Sequence, residues 1–476
     1  MLRTLRSSFP ALKHQYKTIQ PFAVRNVATL PRFQQTALQQ EKTLENDNEN
    51  LVLTKEIGGS RQYILNRPNK LNAMNIQMVK TFFPYIQAWE KSKDVKLIFL
   101  KGTNHGKRRV LSSGGDVRAV VDFLKNKDPV VIDILDYEFK MFHYISTLKT
   151  PYIAVMDGMT IGAGAGLSIN TPFRIATEHT LFAMPESAIG LFPDVGASFY
   201  FPRLDGELGT YLAMTGQTIK SHDVYYAGLA SHFVPSSKLD ELESLLIKLD
   251  TDDHEQINSV INEFAIQHMD DENKNQQHYT LCGENREIID RCFKYNSAEE
   301  IVDALEKDGS LFAKQARDTI LTRSPTSVKI TLQHLRLGAH MGIADCLAME
   351  YYLWQKCIEG HDFIEGVISH LVLKKQPEWK PRTLSEIDDQ QLKKEYFDTP
   401  AKYPIQFLNN TNYHQHPYQH FSLPSEKEIQ QVIQQQPTWT LKQTIEHYQL
   451  ERKYKFGVQE KVTDVWHRYK KRTLSN

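Results

Sequence analysis

Between residues 51 and 235, short apolar runs alternate with segments of helical periodicity, and this alternation constrains the fold more than any other feature of the chain. Lys96–Leu100 (KLIFL), Tyr152–Met156 (YIAVM) and the run FRIAT from Phe173 are too short for helices and read as strands buried in a sheet. Ahead of the first of these, Met78, Val79, Phe82 and Ile86 form one helical stripe. Ile134, Leu135, Phe139, Phe142 and Ile145 form another within Pro129–Leu148. The chain enters this region through LVLTKEI and RQYIL, joined at Gly58-Gly59, which predicts a hairpin. Strands alternating with helices predict an α/β fold wound as a spiral rather than a sandwich.

Residues 250–310 are polar and helical in pattern, with a loop expected at Asp270–Gln277, and 324–375 are helical again. Beyond Pro377 the composition shifts to Gln, His, Tyr and basic residues. The expected organisation is therefore a spiral core over 46–250, a helical part over 251–384 and an extension over 385–476. The chain's 476 residues agree with that count at roughly 150 residues per domain.

The first 40 residues hold Arg3, Arg6, Lys13, Lys17, Arg25 and Arg32 and no acid, with hydroxyl residues between them. That is the composition of a mitochondrial transit peptide, and residues 1–45 are assigned to it and its linker. Lys+Arg and Asp+Glu each total 57, so bulk attraction to nucleic acid or anionic lipid is not expected. Apolar runs fall far short of the ~20 residues that span a bilayer. Cys282, Cys292, Cys346 and Cys357 form no C-x-x-C pair and read as small apolar residues in a reducing compartment; no metal site is expected.

Four places carry candidate chemistry. Leu111-Ser-Ser-Gly-Gly-Asp116 follows a strand, and its glycines let N–H groups point outward toward an oxyanion; a plain strand-to-helix turn has the same pattern. Gly162-Ala-Gly-Ala-Gly166 opens a helix with free N–H donors, or serves tight helix–strand packing. Glu186 stands among Ala183, Met184, Pro185, Ala188 and Ile189, where desolvation raises a carboxyl's pKa and suits it to act as base or nucleophile. Asp194 lies eight residues on, where a helix N-cap is the competing role. Glu138 falls on the apolar stripe of its helix, facing the interior or reaching solvent from the stripe's edge.

Taken together, SSGGDVRAV, GMTIGAGAGLS, FRIATEHTLFAMPESAIGLFPDVG, SPTSVKIT and HDFIEGV resemble the crotonase (enoyl-CoA hydratase/isomerase) superfamily over roughly residues 50–385. Within it they are similar to the 3-hydroxyisobutyryl-CoA hydrolases, which act in valine degradation. The resemblance implies a β-β-α spiral with a helical C-terminal region, an acyl-CoA substrate and no separate cofactor, since CoA is part of the substrate. It implies an oxyanion hole from the N–H groups of Ser113 and Ala163. It places substrate contacts at Glu138, Ala163, Glu186 and Asp194, with Glu186 and Asp194 catalytic.

Hydratases of this superfamily carry a first glutamate at the position that is Gly166 here, and glycine where this chain has Asp194. The remaining pair suits transfer of an acyl group to water. Three departures from the hydrolase pattern stand out: Ser112-Ser113 for Cys-Ala, Ala163 for glycine, and Ile368 for a basic residue.

The extension lies outside this pattern. Ser425-x-x-Glu428 is a capping box, Thr440–Lys455 reads as a helix stopped by Gly457, and residues 451–476 hold eight Lys/Arg against three acids, with Tyr454, Trp466 and Tyr469 interleaved. Such a segment suits rRNA phosphates and base stacking, or forms a solvated helix face. It is similar to the tails of fungal-type members found in the mitochondrial small ribosomal subunit, which makes that subunit a candidate partner.

Overall fold

The computed structural model describes residues 51–268 and 279–475, so the expected transit segment and the expected loop at Asp270–Gln277 lie outside the described residues. Among the described residues, ten strands form two sheets: β1 (Val52–Ile57), β2 (Ser60–Leu65), β3 (Leu97–Gly102), β4 (Val110–Ser112), β5 (Tyr152–Met156), β6 (Met159–Ile161), β7 (Phe173–Ala176), β8 (Leu181–Ala183), β9 (Ile219–Lys220) and β10 (His232–Phe233). One sheet runs β1-β2-β3-β5-β7-β10 and the other β4-β6-β8-β9. Each turn of the spiral gives one strand to each sheet in succession: β3 then β4, β5 then β6, β7 then β8. The predicted hairpin pairs Val52 with Leu65 and Ile57 with Ser60, and from β2 to β10 the large sheet is parallel.

The apolar runs are continuous because both faces of the large sheet are covered. Ile98, Leu100, Tyr152, Ala154 and Met156 enter one core. The alternating Leu97, Phe99, Ile153, Val155, Phe173 and Ile175 enter the other, on the opposite face. The helix Ile76–Lys91 is capped by Asn75, which accepts the Met78 N–H at 2.9 Å. The helix Val130–Ser146 buries the predicted stripe.

Leu51–Asn476 is one compact unit, so the divisions expected at 250 and 384 do not separate bodies. Ile257, Ile261 and Phe264 belong to the core on one side of the sheet. From the extension, Ile429, Ile433, Tyr448, Val458, Val462 and Val465 belong to the other. The predicted capping box forms at Ser425, and a second one forms at Thr440. The basic residues expected to meet phosphates are engaged by other side chains of the fold: Lys455, Lys461 and Arg468 are buried, while Lys453, Lys471 and Arg472 stay exposed. Lys461 pairs with Asp205 at 2.6 Å, Arg468 with Glu426 at 2.9 Å, Lys471 with Glu287 at 2.7 Å and Arg472 with Asp290 at 2.9 Å. Lys455 donates to Asn262 at 2.6 Å, and Arg452 pairs with Glu428 at 2.7 Å. Composition records these charges but not their direction. No helix among the described residues is long and apolar enough to cross a membrane.

Glu426 is the hinge of this inward network: buried, it pairs with Arg286 at 2.7 Å as well as with Arg468. Removing one partner of a buried pair leaves an uncompensated charge and costs about 3–5 kcal/mol. Glu426→Ala should therefore lower the denaturation midpoint sharply, whereas Lys442→Ala, at an exposed pair, should change stability by less than about 1 kcal/mol. Truncation after Leu384 should leave the protein unfolded. Equal midpoints for the two point variants would show that the extension is not integral.

Candidate active site

The two glycine-rich turns lie side by side because β4 and β6 pair in parallel, Val110 with Met159 and Ser112 with Thr160. A β-carbon placed on Gly162 would stand 3.0 Å from Glu186 Oε1 and 3.4 Å from the Gly114 Cα, and Gly162 itself has φ +51°, which only glycine adopts freely. The loop after β4, the turn after β6 and the Glu186 carboxyl thus converge. Ala163 begins the helix Ala163–Gly166 with ordinary helical backbone, so alanine sits there without strain. No acceptor among the described residues takes its N–H.

The other expected oxyanion donor is engaged. The Ser113 N–H donates to the Leu71 carbonyl at 3.0 Å, so the pair read from the sequence is reduced to Ala163. The cause is a distant turn: Leu71 and Asn72 are both left-handed, with φ 51° and 52°. Their conformation is locked by the Asn72 amide donating to Thr103 and Val110 carbonyls, and by Ser112 Oγ donating to the Asn72 carbonyl at 2.9 Å. Asp116 is structural: it caps the helix Val117–Lys125 and pairs with Arg67 at 2.8 Å.

Opposite these turns stand four carboxyls, none of which forms an ion pair with a described residue. Glu186 opens the helical turn Glu186–Ile189 after β8; it is buried, and its Oε2 has no hydrogen-bond partner. Burial first, and the Asp194 charge second, hold its pKa well above the usual range. Asp194 is buried too, and its Oδ2 accepts the Trp354 indole N–H at 2.6 Å. Burial raises its pKa to about 6, opposed by that hydrogen bond. The competing N-cap role is not taken up, for the helix Ala197–Tyr200 starts at Gly196 without a side-chain cap. Glu138, half-buried on the helix Val130–Ser146, is pushed up to about 8 by burial and by the Asp194 charge. All three carboxyls chosen from the sequence come together.

The fourth, Glu350, was not singled out in the sequence. It lies on the helix Ile343–Glu359 among Cys346, Leu347, Tyr351 and Trp354, the pattern that exposed Glu138, so the same test on AMEYYLW finds it. It is fully buried and accepts the Gly196 N–H at 2.7 Å, the Ser198 N–H at 2.8 Å and Ser198 Oγ at 2.6 Å. Burial pushes it up to about 8 against those bonds. It thereby fixes the turn that carries Asp194. Within that turn Val195 has φ 53°, a strained conformation for a β-branched residue that costs roughly 1–3 kcal/mol. His334 holds the same turn from the other side, its Nε2 lying 3.0 Å from the Pro193 carbonyl.

Comparison with known proteins fits this geometry. The enoyl-CoA hydratase/isomerase family profile matches residues 60–397. The chain belongs to that family. It is 44% identical over 358 residues to a mitochondrial 3-hydroxyisobutyryl-CoA hydrolase of Gallus gallus, covering 75% of this chain and 91% of the relative. The human protein of that name is 40% identical, over 72% of this chain and 87% of its own length. The small ribosomal subunit protein mS47 of Neurospora crassa is 38% identical, over 97% of this chain and 92% of its own. Among solved structures, a carnitinyl-CoA dehydratase from Mycobacterium thermoresistibile superposes with TM-score 0.67 and 29% identity, covering 76% of this chain and 100% of that one.

At Gly166, where the sequence resemblance expects a glutamate in hydratases, the packing is tight. A β-carbon there would lie 2.6 Å from Val195 Cβ and 2.9 Å from Phe142 Cε1. The space a hydratase glutamate needs is filled by the strained valine beside Asp194. Gly166→Glu should thus lower stability by overpacking and create no enoyl-CoA hydration, as heat denaturation and loss of enoyl absorbance report. A stable, hydrating variant would contradict the packing argument. The raised carboxyls set the pH dependence. Because they keep their protons to higher pH, kcat/KM for thioester cleavage should fall on the acid side with a midpoint at about 6 or above. A midpoint near 4, the free carboxyl value, would contradict it.

Proposed function

We propose that this chain hydrolyses 3-hydroxyisobutyryl-CoA in the mitochondrial matrix, giving 3-hydroxyisobutyrate and CoA. The observation that carries the reading is the Glu186 carboxyl: buried, unpartnered at Oε2, against the turn that presents the free Ala163 N–H. The Ala163 N–H donates to the thioester oxygen as negative charge builds on it. Ionised Glu186 acts on the carbonyl carbon, either attacking it to form an anhydride that water then cleaves, or taking a proton from the attacking water. On both routes the C–S bond breaks, the thiolate leaves as CoA and takes up a proton, and one water is consumed. Asp194 orients the substrate hydroxyl or the water, and Glu138 supports it from the neighbouring helix. The names of the hydrolase relatives, all mitochondrial, support both substrate and compartment.

A second reading, a component of the mitochondrial small ribosomal subunit, is favoured by one observation: the mS47 relative matches the extension as well as the catalytic region. With Lys455, Lys461 and Arg468 buried and Lys453, Lys471 and Arg472 exposed on a packed helical region, attachment would use the surface of the folded body rather than a free basic arm.

Thiol release from 3-hydroxyisobutyryl-CoA tests the first reading. Glu186→Gln should lower turnover by at least about a hundredfold with folding retained. Asp194→Asn should cost more than Glu138→Gln. Ala163→Pro, which removes the N–H, should abolish hydrolysis, while Ala163→Gly keeps it. Turnover like the wild type in Glu186→Gln would refute the assignment. Co-sedimentation of the intact chain with the small subunit tests the second reading, and free sedimentation at low salt would exclude it.

A further inference from the structure

We infer that the helix Ile343–Glu359 carries a positioning pair for the catalytic turn: Trp354 sets the Asp194 carboxylate through its indole N–H, and Glu350 clips the turn's backbone at Gly196 and Ser198. The inference rests on Asp194 belonging to the hydrolytic site. Residues four apart on a helix share a face, so Glu350 and Trp354 reach the turn together. Their contacts differ in kind. Glu350 takes three donors at 2.6–2.8 Å and holds main chain, the part that keeps Val195 in its strained conformation. Trp354 makes one bond, at 2.6 Å, to the reacting residue's own carboxylate.

The surroundings give that single bond its weight. The groups acting on Asp194 or feeling its charge are Glu186 from its turn, Glu138 from the helix Val130–Ser146, Glu350 and Cys357 from the helix Ile343–Glu359, and Tyr200 from the helix Ala197–Tyr200. None is a cation. Among the described residues, the indole is the one side-chain donor that reaches the Asp194 carboxylate. It is also immobile: Trp354 is buried and its ring meets Phe363 edge-on at 5.3 Å. Phe363 in turn belongs to the segment Asp362–Gly366, which packs against the turn bearing Glu186; a β-carbon on Gly190 would lie 2.1 Å from the Asp362 carbonyl oxygen. One indole therefore fixes the oxygen of Asp194 relative to the turn that carries Glu186. Trp354 stabilises the ionised form of Asp194, because an N–H bonded to a carboxylate favours its charge.

Two measurements on the full chain test this. In protein labelled with 15N at the indoles, the Trp354 signal, assigned by its loss in Trp354→Phe, should shift as Asp194 titrates and should move in Asp194→Asn. In kinetics, Trp354→Phe should lower kcat about tenfold or more with KM changed less, and should displace the acid limb of kcat/KM to higher pH. Glu350→Gln keeps acceptor oxygen for one backbone N–H and should lower kcat in the same direction. An indole signal indifferent to pH and to Asp194→Asn would overturn the proposal. So would a Trp354→Phe variant that loses only thermal stability. If wild-type protein releases no thiol while the indole still follows Asp194, the proposed activity fails and the positioning pair stands.

Discussion

Four clustered carboxyls, three of them buried and none with a counter-ion among the described residues, are the constraint around which the rest of this structure is arranged. Desolvation and mutual repulsion both oppose their charge, and such an arrangement persists only where fixed dipoles replace the missing cations. Glu350 is answered by two backbone N–H groups and a hydroxyl, and Asp194 by an indole. Glu186 keeps a fully buried oxygen with no partner. This carboxyl is the one placed against the turn bearing a free N–H, which is the division of labour acyl transfer requires: one carboxylate held and one left available.

Holding such a cluster needs a rigid frame. The spiral supplies it by stacking β4, β6 and β8 so that their ends deliver three turns to one place, while the large sheet between two apolar cores fixes their spacing. The extension is part of the frame. Its apolar residues enter the main core, and its buried cations Lys461 and Arg468 neutralise Asp205 and Glu426.

What the sequence made legible follows from which forces act locally. Strands such as YIAVM declared themselves because a sheet covered on both faces tolerates few polar side chains. Glu186 and Glu138 were visible as charges amid apolar neighbours, and Gly166 as an absent glutamate. What escaped was set by contacts distant in sequence. The Ser113 N–H is occupied by Leu71, some forty residues away. Glu350 and Trp354 matter only because their helix packs on the turn after Pro193. The basic tail read as an arm for phosphates, since nothing in a run of lysines and arginines tells which acids they will meet. Val195 is a further case, because only the folded turn puts a valine in a left-handed conformation.

We propose that this site cleaves thioesters and does not hydrate double bonds, with Val195 and Phe142 filling the space around Gly166 and Glu186 and Asp194 left to act. Wild-type protein given 3-hydroxyisobutyryl-CoA and crotonyl-CoA in parallel tests it most directly, with free thiol and enoyl absorbance followed together. The account predicts rapid thiol release from the first and no loss of enoyl absorbance from the second. Hydration of crotonyl-CoA without thiol release from 3-hydroxyisobutyryl-CoA would contradict it.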